Sequence, residues 1–158
     1  MKKWFLFLTL FLLFPFVIAD DDPFSFINNA SISEADKISL IKQVLTYQLP
    51  QMQSEFNANS TLPQPFKFLL NNEKINLNVG DDFTIGLMFI DGKIDHLSTS
   101  SFMDPDFNVQ VSDQFLLNLH QENVDFKQSL QNGDLTFSAE GFFNKLKLAP
   151  IKIFLKLI

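Results

Sequence analysis

The chain has 158 residues, 46% of them hydrophobic and 20 of them Phe, with 12 Lys, 18 acidic residues, no Arg and no Cys, for a net charge of -6. Phosphate backbones are gripped by clustered Lys and Arg, so this balance excludes nucleic acid as a partner, and the missing Arg disfavours small, strongly anionic substrates that need a bidentate clamp. With no disulfide available, burial of apolar area has to hold the fold together.

Lys2 and Lys3 form a positive n-region, residues 4–14 an apolar h-region, and Val17-Ile18-Ala19 presents a small residue before a cleavage point. Residues 1–19 therefore read as a signal peptide, and the protein as secreted or held at the cell envelope. An uncleaved anchor is the alternative, but the run is shorter than the ~20 residues a spanning helix needs. Pro15 and Asp20-Asp21-Asp22 also end it abruptly. Removing the 19 residues leaves 139 of 158, with 10 Lys against 18 acids, or -8. That length suits one domain with its own core. Excess Phe, Asn, Ile and Lys without Arg has the look of an AT-rich prokaryotic coding bias.

Residues 20–32 read as an acidic flexible segment broken by Pro23, with Phe24 and Phe26 capping the edge of a core. Asn29 and Asn59 begin N-x-S/T sequons in segments expected to be exposed. Ser33-Glu34-Ala35-Asp36 resembles a capping box, and Ile38, Ile41, Leu45 and Leu49 follow at helical spacing, with Lys37 and Lys42 off that face. Pro50 is expected to kink the helix or end it near Gln48, and residues 57–65 read as a loop.

Strands follow. A short one is expected at residues 66–70; Ile75, Leu77 and Val79 alternate with Asn76 and Asn78; Phe83, Ile85, Leu87 and Phe89 alternate with Thr84, Gly86 and Met88. Asp91-Gly92 signals a tight hairpin, because type I′ turns need positive φ at both central residues. Phe107-Asn108-Val109-Gln110-Val111 is the next strand. Ser112-Asp113-Gln114 then opens a helix carrying Phe115, Leu116 and Leu119, and a second short helix runs over residues 124–130 to a stop at Asn132-Gly133. Leu135-Thr136-Phe137-Ser138-Ala139 is the last strand. The final fifteen residues fit a helical stripe through Phe142, Leu146, Ala149, Ile153 and Leu157, but also a period-two alternation around Pro150.

The order from residue 107 onward, with Gly133-Asp134-Leu135-Thr136-Phe137-Ser138-Ala139-Glu140-Gly141 and then Asn144-Lys145-Leu146-Lys147-Leu148-Ala149, resembles the C-terminal half of sterol-carrier-protein lipid-binding domains. The resemblance spans residues 66–157. One departure is Asp134, where family members usually carry Lys. The resemblance implies a final helix and an apolar tunnel between sheet and helices for acyl chains or sterols.

Catalytic constellations are not apparent. His96 and His120 stand in no metal-ligand spacing, and no metal site is expected. Ser98, Ser100 and Ser101 lie near His96 without a Gly-x-Ser-x-Gly elbow. Asp81-Asp82 and Asp104/Asp106 read as solvated turn residues without the ligand pattern of a Ca²⁺ loop.

What remains is an α+β domain over residues 33–158, with a mixed, mainly antiparallel sheet of about five strands and helices packed over one face. Its expected activity is non-catalytic binding or carriage of an apolar ligand, a lipid, fatty acyl or sterol-like molecule, without a cofactor. The candidate lining is Phe83, Ile85, Leu87, Phe107, Val109, Leu116, Phe126, Leu130, Leu135, Phe137, Phe142 and Leu146. Peripheral membrane contact is expected through Lys145, Lys152 and Lys156. The rival reading is an interaction module with the same fold and a filled core.

Overall fold

The computed structural model describes residues 31–62, 64–121 and 124–141, together with Asn144, Lys145, Lys147 and Ala149. The expected signal peptide, most of the acidic segment and the Asn29 sequon lie outside these residues.

Helix α1 (Glu34–Asn59) starts at Ser33, whose hydroxyl accepts the Asp36 N–H, with Glu34 and Asp36 in the first turn. It buries Ile41, Leu45, Leu49, Met52 and Phe56, a stripe at helical spacing that extends the expected face well past Pro50. Proline in a helix interior costs about 3 kcal/mol. Here the helix continues because Met52 and Phe56, 7% and 8% exposed, join the core beyond it. The expected end near Gln48 and the loop from residue 57 are thus corrected. Asn59 is exposed in the last turn, its amide donating to the Glu55 carbonyl.

Residues 64–70 are a second correction. They form a short helix, α2 (Gln64–Leu70), not a strand. The chain leading into it and its last turn both meet the hairpin that follows: the Leu62 N–H donates to Gly92 O, and a Cβ on Gly92 would lie 2.2 Å from Lys67 Cε.

Strands β1 (Lys74–Val79), β2 (Phe83–Ile90), β3 (Lys93–Ser98), β4 (Phe107–Val111) and β5 (Leu135–Ala139) form one sheet in the order β3-β2-β1-β4-β5. All pairings are antiparallel except β1 with β4. Asp91 and Gly92 have φ of 51° and 79°, the values the β2–β3 turn demands. Between β4 and β5 lie α3 (Asp113–His120), capped by the Ser112 hydroxyl on the Phe115 N–H, and α4 (Phe126–Asn132), capped by Asp125 and stopped by left-handed Gly133.

The edge strand β3 is fastened to α1 by side chains. Asn57 accepts the Ile94 N–H and donates to the Ile94 carbonyl, both at 2.8 Å, where a bulge interrupts the β2–β3 ladder. Gln53 donates to the Ile94 and Asp95 carbonyls, and Lys93 Nζ to the Asn57 and Ser60 carbonyls at the end of α1. An edge that would otherwise present free backbone groups is thereby occupied. On the opposite face of the sheet residues 99–106 cross the strands, held where the Asn76 amide both donates to the Phe102 carbonyl and accepts its N–H.

Candidate functional site

Strand registry brings the sheet-borne candidate residues together. Phe83 pairs with Val79, which pairs with Val111 and through it Leu135; Ile85, Leu77, Val109 and Phe137 form the next row, and Leu87, Ile75, Phe107 and Ala139 the third. Because side chains alternate along a strand, these rows share one face. Seven of the twelve candidate residues therefore lie on a single apolar surface. Leu116, 1% exposed, is in its cover, and Leu119 and Leu130 pack against the same core. The Phe126 side chain, Phe142 and Leu146 lie outside the described residues.

The face is unevenly covered. Its middle is sealed: Leu77, Val109 and Val111 are at most 3% exposed. Its flanks are not. Phe83 and Phe137 are only half-buried among the described residues. At Phe83 the reason is topological, because β3 pairs β2 only from Gly86 onward, leaving the start of β2 as a local sheet edge.

Beside Phe83 lies a groove of about 350 Å³, bounded by Ile38, Ser39, Lys42 and Thr46 on one face of α1, by Asp82 and by Asp113. Lys42 is the feature that sequence spacing misplaced. Expected off the apolar stripe, it is buried, its side chain 11% exposed, with Nζ 2.6 Å from Asp82 Oδ1 and 2.8 Å from Asp113 Oδ1. The Asp113 oxygen is itself buried, so the ammonium compensates its charge. Asp82, expected as a plain turn residue, is one of this trio, although 76% of its side chain faces solvent. Gly80 makes the approach possible: it has φ of 62°, and a Cβ there would sit 2.6 Å from Asp113 Oδ1.

Burial works against the Lys42 ammonium, but the contacts and charges of Asp113 and Asp82 outweigh it and hold its pKa above the ordinary value. Contact with Lys42, and then its charge, holds the Asp82 carboxyl below the ordinary value. A raised cation contributes stability below pH 10.5 that is lost as pH rises through its folded value; a depressed carboxyl contributes above pH 3.8 and loses it as pH falls. Lys42→Met keeps the buried stem and removes the charge. Its stability deficit against the parent should therefore be largest at neutral pH and shrink both in acid and above pH 10.5, as urea unfolding across pH will report. A deficit independent of pH would show that the trio is not coupled.

On the polar face of the sheet, His96 Nε2 lies 2.9 Å from Ser98 Oγ, which is 2.5 Å from Ser100 Oγ, and Phe102 packs on the imidazole at 5.0 Å between ring centroids. The His96 and Ser98 side chains lie on the far side of the sheet from the apolar rows. Asp106, also expected to be solvated, instead accepts the Lys74 N–H on one carboxylate oxygen and the Asn144 amide on the other. Among the described residues no three His, Cys, Asp or Glu side chains are grouped to hold a metal ion, and no helix is long and apolar enough to cross a membrane.

No family model matches the chain, and no curated protein matches it. Among solved structures, the chain is similar to sterol carrier protein domain 2 of Helicoverpa armigera, at 9% identity and a TM-score of 0.44 over 72% of this chain and 89% of that one. It is similar also to the UbiJ-SCP2 ubiquinone synthesis protein, at 15% and 0.45 over 74% and 95%. A third is the sec-alkyl sulfatase PisA1, at 18% and 0.41 over 64% of this chain, which spans 15% of that enzyme's chain.

Proposed function

We propose that the protein binds or carries an apolar ligand, a lipid, fatty acyl or sterol-like molecule, at the cell envelope, without catalysing a reaction. The observation that carries this reading is the apolar face of three registered rows, sealed in the middle and only half-covered at Phe83 and Phe137. An acyl chain laid against such a flank is stabilised by about 0.8 kcal/mol per CH₂ removed from water and needs no charged anchor. The sterol-carrier likeness of the Gly133-to-Gly141 motif supports the same reading, and the expected export supports its place. Peripheral membrane contact through Lys145, Lys152 and Lys156 belongs to the proposal; Lys145 is exposed, and the other two lie outside the described residues.

Phe137→Trp is the test. On a flank with room, the larger ring takes ligand space, so uptake of a fluorescent fatty acid should fall while the melting temperature barely moves. In a filled core the same change is overpacking and costs ~1–3 kcal/mol. A clear loss of stability, with no uptake by the parent, would favour the interaction-module reading.

A further inference from the structure

The groove beside Phe83 joins an apolar wall to a charged end. Ile38, Ser39 and Lys42 share one strip of α1 at the three- and four-residue spacing of a helix face, and Asp82, Phe83 and Asp113 form the other side. Ile38 and Phe83 are each half-buried and packed on the core, so the rest of their apolar surface is left to the groove. Its volume of about 350 Å³ is that of a compact small-ligand site. At the charged end Lys42 takes the Oδ1 atom of both Asp82 and Asp113, so one ammonium is shared between two carboxylates and the trio carries a net charge of -1. Asp82 keeps 76% and Asp113 45% of its side chain in solvent; because Asp113 Oδ1 is buried, that exposure belongs to its other atoms.

This charge balance selects the head of a ligand. A carboxylate entering the groove would meet two carboxylates and a cation already engaged by both, and a phosphate-bearing head would bring its own negative charge against the same pair. An ammonium head supplies both the missing positive charge and N–H donors for the carboxylates, the stronger class of hydrogen bond. We propose that the groove holds the ammonium head of a single-chain, long-chain amine against Asp82 and Asp113, with the tail along Ile38 and Phe83. The proposal rests on the carrier reading above for the tail, since Phe83 both walls the groove and opens the first row of the apolar face, and it adds the chemistry of the head.

The test compares decylamine, decanol and decanoate, matched in tail length, by calorimetric titration of the purified protein at neutral pH. Decylamine should bind about fivefold tighter than decanol, the upper range for an ion pair open to solvent, and decanoate should bind weakest. Asp82→Asn makes the trio neutral, so the ratio of decylamine to decanol affinity should fall to about one. Ser39→Lys places a cation on the exposed lining of α1 without touching the core, lysine being a good helix former, and should abolish the preference in the same way if Asp82→Asn folds poorly. Asp104→Asn removes the same charge on the far side of the sheet, where residue 104 is exposed, and should leave the preference intact. A preference absent in the parent, kept in both groove variants, or lost equally in Asp104→Asn overturns the ammonium site, the last because overall acidity alone would then attract the amine. Binding of all three ligands without preference leaves the carrier reading standing and removes only the head; binding of none overturns both.

Discussion

Phe89→Ala should lower the unfolding free energy by about 3–5 kcal/mol, the range for truncating a fully buried aromatic. Phe89 is 1% exposed and meets Phe56 of α1 edge-on, with ring centroids 6.2 Å apart. It belongs to the same buried core cluster as Met52, Leu62 and Leu70, so truncating it opens a cavity in the core that the second half of α1, the chain after it and α2 share with the sheet. Its backbone is committed as well, its carbonyl accepting the Asn72 N–H at 2.7 Å. That rigid backbone leaves little freedom to collapse into the cavity. Urea unfolding followed by circular dichroism measures the loss, and a value below about 1.5 kcal/mol would mean that α1 beyond Pro50 does not pack on β2.

Gly86→Ala should cost about 3 kcal/mol, at the upper end for overpacking, although Gly86 lies in a regular strand where alanine is ordinarily tolerated. A Cβ there would stand 2.3 Å from the Ser100 carbonyl oxygen and 3.4 Å from the Phe102 ring. The obstacle is backbone, not the end of a flexible side chain, so residues 99–106 have to lift from the sheet. Lifting them strains both Asn76 bonds to Phe102 and the ring contact on His96. The expected signature is lower stability together with a displaced His96 resonance in NMR. Alanine at 86 with stability unchanged would show that this segment does not lie on the sheet.

Both positions belong to elements that were legible, yet neither effect was. Alternation along residues 75–79, 83–89, 107–111 and 135–139 placed four of the five strands and their inward side chains, because a strand's two-residue period is a local property. Turn and cap chemistry is equally local: Asp91-Gly92, Ser112 and the stop at Gly133 all act through their own dihedrals or the next few N–H groups. Hence the candidate face, from Phe83 to Phe137, could be named from the sequence and is found in register.

Where local signals conflicted with distant contacts, only the tertiary structure could decide. Pro50 argues for a helix end, but burial of Met52 and Phe56 and the Asn57 clamp on Ile94 carry α1 past it. Residues 66–70 are as apolar as a strand, yet they form a helix that closes over the β2–β3 turn. Lys42 belongs by spacing to a solvated face, and becomes a buried cation because Asp82, 40 positions away, and Asp113 converge on it. The pairing of Glu73 with Lys147, 74 positions apart, is likewise invisible in either neighbourhood. Dihedral preference and periodicity are written within a few residues, so the chain alone determined its strands, caps and apolar face. Charge pairing and the cover of that face depend on which remote segments meet, and that the fold alone decided.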